Sequence, residues 1–190
     1  SEDQTGFIPG RYIGDNIRLV YDLIQYLNKE NRPGLLLNID FEKAFDTIDW
    51  TFMLKVVRAF GFGKRICDWI ETLYKNSKAT VIINGQPSEW LEIKRGCRQG
   101  DPISPYLFVL CAEILACMIK ENKNINGIFT NQYEHKIAQF ADDTQSLQRG
   151  DRVTFEETIK MLETFSSISG LTMNCEKTSA IWLGSEKGSK

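Results

Sequence analysis

The sequence predicts an α+β fold: a split βαβ sheet with helices on one face and an inserted β-hairpin. Three observations predict it. The 190 residues are 42% hydrophobic and 25% charged, an ordinary globular balance that can bury one core. Segments with strand-like and helix-like apolar spacing follow one another along the whole chain. The residues between them are turn formers.

Each element can be justified in order. Asp15 is placed to cap a helix in which Ile17, Val20, Ile24 and Leu27 recur at helical spacing. Pro33-Gly34 ends it, and Leu35 to Ile39 then forms a short apolar strand of the buried kind. Asp49 or Thr51 caps a helix through Met53, Leu54, Val57 and Phe60, broken at Gly61 and Gly63. The next helix carries Ile66, Trp69, Ile70 and Leu73 on one face. Asn84-Gly85, which tolerates positive φ, predicts a tight hairpin between Thr80–Ile83 and Trp90–Ile93. A Gly-, Arg- and Pro-rich loop, 95–105, leads into a long apolar helix. That stretch contains Glu113 and falls short of the about 20 residues a bilayer span needs, so no membrane is implied. Ile137–Ala141 and Thr144–Gln148 read as strands around Asp142-Asp143. A helix over 154–167 stops at Gly170, and a last strand covers Ser179–Leu183. The pattern fits a ferredoxin-like domain over residues 1–184, with 185–190 as a flexible tail.

Charge and cysteine usage narrow the function. The net charge of −2 gives no bulk attraction to nucleic acid or to an anionic membrane. The five cysteines form no Cys-x-x-Cys pair and the one histidine has no cysteine near it, so a zinc site or disulfide framework is not expected. Free thiols suit an intracellular setting, nucleus or cytoplasm.

The chemistry-bearing residues are carboxylates. Asp142 and Asp143 are adjacent at the edge of a core, and Asp40 ends a buried strand, where sheets of this kind present functional groups. Taken singly, these could be a polar turn and a helix cap. If the two strands are neighbours, the acids converge, with the carboxyl carbons of Asp40 and Asp142 within roughly 8 Å. Oxygen donors without His or Cys favour Mg²⁺ or Mn²⁺. Two such ions support in-line phosphoryl displacement. In Gly96 to Pro105 the glycines permit close backbone approach, Arg98 offers a planar donor fork to phosphate, and Gln99 offers an amide. Between Lys55 and Lys78, six basic residues (Lys55, Arg58, Lys64, Arg65, Lys75, Lys78) face two acidic ones (Asp68, Glu71). They read either as a solvated helix face or as a phosphate track.

In this order, Gln4-Thr5-Gly6-Phe7-Ile8-Pro9-Gly10-Arg11, Asn38 to Asp46, Gly96 to Pro105, Phe140-Ala141-Asp142-Asp143, and Ser169-Gly170-Leu171 with Asn174 and Lys177 resemble the reverse transcriptase domain of non-LTR (LINE-type) retrotransposons. The resemblance implies an RNA-directed DNA polymerase palm with partial fingers, acting on an RNA template, a DNA primer and deoxynucleotides. It implies that Asp40, Asp142 and Asp143 form the catalytic, metal-binding set for two Mg²⁺ ions, with the Phe41 carbonyl as a further ligand. It makes Phe45 a steric gate against ribose, and places Gln99 and Gly100 at the nucleotide and template site, next to the phosphate fork of Arg98. Lys177 falls near the leaving pyrophosphate. It also implies flanking fingers and thumb segments in a longer polyprotein. Thr144-Gln145-Ser146 is more polar than the apolar strand usual after the two aspartates. A group II intron-type reverse transcriptase and a non-catalytic remnant that at most binds RNA are the alternatives.

Overall fold

The structure, a computed structural model, describes residues 1–131 and 133–186. In chain order the elements are α1 (Ile13–Glu30), β1 (Gly34–Ile39), α2 (Ala44–Thr47), α3 (Trp50–Ala59) and α4 (Lys64–Tyr74). Then come β2 (Lys78–Ala79), β3 (Ile82–Ile83), β4 (Gln86–Pro87), β5 (Leu91–Glu92) and α5 (Ser104–Glu121). The chain continues through β6 (Ile128–Thr130), β7 (Tyr133–His135), β8 (Ile137–Phe140), β9 (Asp143–Gln148), α6 (Arg152–Ser169) and β10 (Ser179–Leu183).

The central sheet has the order β10-β1-β9-β8, and every neighbouring pair is antiparallel. β1 and β8 are therefore parallel to each other with β9 between them, while β9 and β10 are parallel with β1 between them. Each βαβ unit is split by a strand of the other. This order sets the end of β1 beside the start of β9, with Ile39 opposite Thr144.

β1 is apolar on both faces, and so both faces are covered. Leu37 and Ile39 join the main core with Met53, Val57, Phe108, Leu115 and Phe165 from α3, α5 and α6. Leu36 points the other way, into a second core with Leu23 and Leu27 of α1, Leu147 and Leu183. The expectation of helices on one face only is corrected: α1 covers the opposite face.

Other expectations change in detail. Asp15 lies inside the first turn of α1, which begins after Tyr12 with no side-chain cap. That helix ends at Glu30, where Asn31 takes a left-handed conformation, two residues before Pro33. Asp49 caps α3 as expected, its carboxylate accepting from Phe52 N–H at 2.8 Å. α4 is rotated from its apolar stripe: Cys67, Ile70 and Tyr74 are buried, whereas Ile66, Trp69 and Leu73 are exposed. Tyr74 wins because its ring meets Trp50 (centroids 5.3 Å apart) and Arg98. The Asn84-Gly85 turn forms with positive φ at both residues. Its two-residue loop pairs Ile82–Ile83 with the immediately following Gln86–Pro87, so Leu91–Glu92 pairs lower down, with Lys78–Ala79. α6 begins earlier than its apolar spacing suggested, because Asp151 caps it by accepting from Thr154 N–H at 2.9 Å. The β6–β7 hairpin had no sequence signal, since three-residue strands are too short to show alternation. Of the tail, Gly184–Glu186 forms a short 3₁₀ turn, and residues 187–190 lie outside the described residues. Among the described residues no helix is long and apolar enough to cross a membrane.

The polar strand β9 packs by hydrogen bonding. Thr144, Ser146 and Gln148 are buried. Gln139 donates to Thr144 Oγ1 at 3.2 Å, Ser146 donates to the Lys136 carbonyl at 3.4 Å, and Gln148 donates to Thr158 Oγ1 of α6 at 3.0 Å.

Candidate active site

Asp40 leaves β1 with both backbone groups tied down. Its N–H donates to Thr178 Oγ1 at 3.2 Å and its carbonyl accepts from Asn174 N–H at 2.8 Å. Asn174 also makes an Asx turn, its Oδ1 accepting from the N–H groups of Glu176 and Lys177. One asparagine thus connects the acid at the end of β1 to the lysine beside it. Asn174 belongs to the motif pattern, but its part in this linkage had no signal beyond its turn propensity.

Asp142 sits in the two-residue turn between β8 and β9, where Phe140 pairs with Asp143. Ala141, the other turn residue, has φ of +55°. An alanine held there is strained, because Cβ crowds the backbone in the left-handed region. Asp143 opens β9. Partial burial, then the negative charges of Asp142 and Asp40, hold its carboxyl above the usual carboxylate range.

Two clefts meet at Asp40. One, of about 560 Å³, is lined by Asp40, Phe41, Asp142, Asn174 and Lys177, with Ala44 and Thr47 of α2. The other, of about 490 Å³, is lined by Asp40, Asp143, Lys177, Asn38 and Gln145, under Ile13 and Ile17 of α1. Strand order therefore brings together residues about a hundred positions apart in the sequence. The Phe41 ring is buried edge-on to Phe165, which leaves its backbone at the cleft. Lys177 is exposed and reaches both clefts.

The remaining expected residues lie beside these clefts rather than in them. Phe45, on α2, stacks on Phe108 and meets the edge of Phe7. The 95–97 segment is stitched to α2. Gly96 N–H donates to the Ile48 carbonyl, Cys97 N–H donates to the Phe45 carbonyl, and Trp50 Nε1 donates to the Gly96 carbonyl. Gly96 has φ of +87°, and a Cβ there would stand 2.6 Å from the Asp46 carbonyl oxygen, so the stitch requires glycine. Gln99 donates to Asp46 Oδ1 at 2.9 Å. Gly100, also at positive φ, is open to solvent. Arg98 turns toward α4, donating to Ser77 Oγ at 2.7 Å. None of the six basic residues between Lys55 and Lys78 lines either cleft, and Glu71 and Asp68 pair with Arg58 and Lys64.

The family model described as reverse transcriptase (RNA-dependent DNA polymerase) matches residues 1–186, and the chain belongs to that family. It falls with the non-LTR retrotransposon members. It is 30% identical over 187 residues to the "Transposon TX1 uncharacterized 149 kDa protein" of Xenopus laevis, covering 97% of this chain and 14% of that protein. It is also 30% identical over 179 residues to the Retrovirus-related Pol polyprotein from type-2 retrotransposable element R2DM of Drosophila melanogaster, covering 92% of this chain and 16% of that protein. The chain thus spans about a sixth or less of these curated relatives. Among solved structures, apo telomerase from Candida tropicalis, truncated from its C-terminal domain, superposes with a TM-score of 0.68 at 14% identity, covering 99% of this chain and 37% of that one. Telomerase from Candida albicans gives 0.65 at 11% identity, over 90% of this chain and 30% of that one. At these identities the likeness shows the fold alone.

Proposed function

We propose that residues 1–184 are the palm and part of the fingers of an RNA-directed DNA polymerase that extends a DNA primer with deoxynucleotides on an RNA template. The observation that carries this reading is the cleft shared by Asp40, Asp142 and Lys177.

The donor set fits Mg²⁺, or Mn²⁺ in its place. It is all oxygen: the carboxylates of Asp40, Asp142 and Asp143 and the backbone carbonyl of Phe41. Among the described residues no three His, Cys, Asp or Glu side chains are grouped to hold one ion by themselves. Mg²⁺ is commonly held by one or two carboxylates together with substrate phosphates, so such a cage is not required. When bound, a pair of these ions lowers the barrier to attack of a primer 3′-hydroxyl on the α-phosphorus and neutralises charge on the departing pyrophosphate.

The chain's own residues do the rest. Asp40 and Asp142 would hold the ions in the cleft they both line. Asp143, in the second cleft with Asp40, completes the carboxylate set. Lys177 offers a cation to the leaving phosphates. Phe45, braced on Phe108, blocks the space a ribose 2′-oxygen needs. Gln99, held by Asp46, and Gly100 flank the template side, with Arg98 further out. The flanking fingers and thumb of a longer polyprotein complete the grip on nucleotide and primer. The free thiols fit an intracellular location.

Primer extension on an RNA template, with and without Mg²⁺, tests this. Metal-dependent extension that disappears in Asp142→Asn supports the enzyme. RNA binding without any extension, in a chain carrying its flanking segments, favours the non-catalytic remnant.

A further inference from the structure

The segment before α1 is built into the sheet. Thr5 N–H donates to the Gln139 carbonyl at 2.9 Å and Gln139 N–H donates to the Asp3 carbonyl at 2.8 Å, so Asp3–Thr5 lies along the outer edge of β8. The side chain between them, Gln4, is fully buried. Its amide brackets the strained residue of the turn. Oε1 accepts from Ala141 N–H at 2.9 Å, and Nε2 donates to the Ala141 carbonyl at 3.3 Å. Oε1 also accepts from Gly6 N–H at 2.7 Å, which fixes the amide itself. The approach is so close that a Cβ on Gly6 would stand 2.3 Å from Ala141 N.

We infer that Gln4 is a positioning residue: its amide clamps Ala141 in the left-handed conformation and so sets the direction in which Asp142 enters the cleft. The inference rests on the reading of Asp142 as a metal-binding carboxylate. The physical reason is that the tight β8–β9 turn demands positive φ at its first residue while the alanine there resists it. Glycine or asparagine would adopt it readily, whereas alanine does so only when its surroundings dictate it. Two hydrogen bonds to the peptide groups on either side of Ala141, made in a buried site, supply that constraint. A core glutamine filling space would need neither the paired geometry nor the missing Cβ at Gly6. Gln4 touches no reacting group, so its effect runs entirely through the turn.

Amide exchange and Mn²⁺ binding test the clamp without relying on turnover. In Gln4→Met, which keeps the shape and removes all three polar contacts of the amide, Ala141 N–H should exchange at least about tenfold faster than in the parent, while amides of α5 and β1 keep their rates. Mn²⁺ affinity should fall by at least about fivefold with the same variant, as the carboxylate loses its fixed direction. Gln4→Glu retains the acceptor and loses only the donor, so it should fold even if Gln4→Met does not, and should show an intermediate rise of about threefold. Adding Ala141→Gly to Gln4→Met should restore Mn²⁺ affinity to within about twofold of the parent, because glycine holds positive φ unaided. A purely packing role predicts no such rescue. Ala141 exchange unchanged in both Gln4 variants, or no rescue by glycine, overturns the inference. Asp40→Asn keeps the two failures apart. It should weaken Mn²⁺ binding and leave Ala141 exchange alone; Mn²⁺ affinity indifferent to Asp40→Asn overturns the metal reading, and the exchange rates still decide the clamp.

Discussion

Phe45 stacks on Phe108 with ring centroids 4.3 Å apart and planes inclined by 21°. Phe108 is fully buried in α5 and Phe45 is half-buried beside the cleft. The outer ring therefore rests on an immovable one. Phe45→Val, in a chain carrying its flanking segments, should raise ribonucleotide incorporation by at least about tenfold, equivalent to ~1.4 kcal/mol of discrimination. Competition between dNTP and rNTP in single-nucleotide extension measures it. Unchanged sugar preference would reduce Phe45 to core packing.

Asp40→Asn and Asp142→Asn should each lower single-nucleotide extension by at least about a thousandfold, ~4 kcal/mol of barrier. Neither should lower the melting temperature, because each removes negative charge from a crowded cleft and breaks no hydrogen bond made by the carboxylate. Extension that survives both substitutions would rule out the carboxylate site as the catalytic centre.

Asp143 gives a pH dependence of known sign. Its folded-state pKa is raised, chiefly by burial and then by Asp142 and Asp40, so the folded chain holds its proton more tightly than the unfolded chain. The stability it contributes is complete below the unfolded value of ~3.9. That stability is lost as pH rises through the folded value. Asp143→Asn should accordingly melt about 1–2 °C higher than the parent at pH 7, a small gain because solvent screens the site. The gain should vanish near pH 3. Melting curves across that range check it, and a gain that grows in acid would contradict the sign.

The thiols should divide by burial. Cys97 is pushed up to about 11 by burial, and Cys67 and Cys111 are buried as well, whereas Cys117 and Cys175 are exposed. At pH 8 an alkylating reagent should label Cys175 first. Cys117 should follow more slowly, because partial burial and then the charge of Glu113 hold its thiol up. The other three should react only after unfolding. Mass spectrometry of the folded protein that shows Cys97 labelled early would mean that the 95–97 stitch opens readily.

Residues 1–190 alone should extend a primer poorly, since alignment of primer end and nucleotide can be worth about 7–11 kcal/mol and grips from flanking segments contribute to it. Restoring those segments should raise extension by at least about a hundredfold. Rapid, processive synthesis by the isolated chain would show that the substrate is held within it.

Much of this arrangement was legible in the sequence, for reasons that particular residues make clear. β1 stood out because Leu35 to Ile39 is an apolar run too short for a helix, and Asp40 stood out because it ends that run. α5 is apolar nearly throughout, and Asn84-Gly85 admits few turns. What could not be foreseen depended on tertiary contact. The inward face of α4 was decided by Tyr74 meeting Trp50, and the stripe of Ile66, Trp69 and Leu73 gave no hint of it. The side of the sheet taken by α1 was decided by Leu36. Gln4 carried no periodic signal, and its partner lies 137 positions away.

The inward row of β9 has a consequence for how the sheet is assembled. Apolar strands attract one another in more than one alignment, since any Leu satisfies any other. Thr144, Ser146 and Gln148 accept only particular neighbours: Gln139, the Lys136 carbonyl and Thr158. A shift of β9 by two residues would keep its inward and outward faces and strand all three in a dry interior. The strand thus behaves like a key with three teeth. It adds little to the pull that draws the chain together, and much to the choice of the single alignment in which Asp143 arrives opposite Phe140 and beside Asp40.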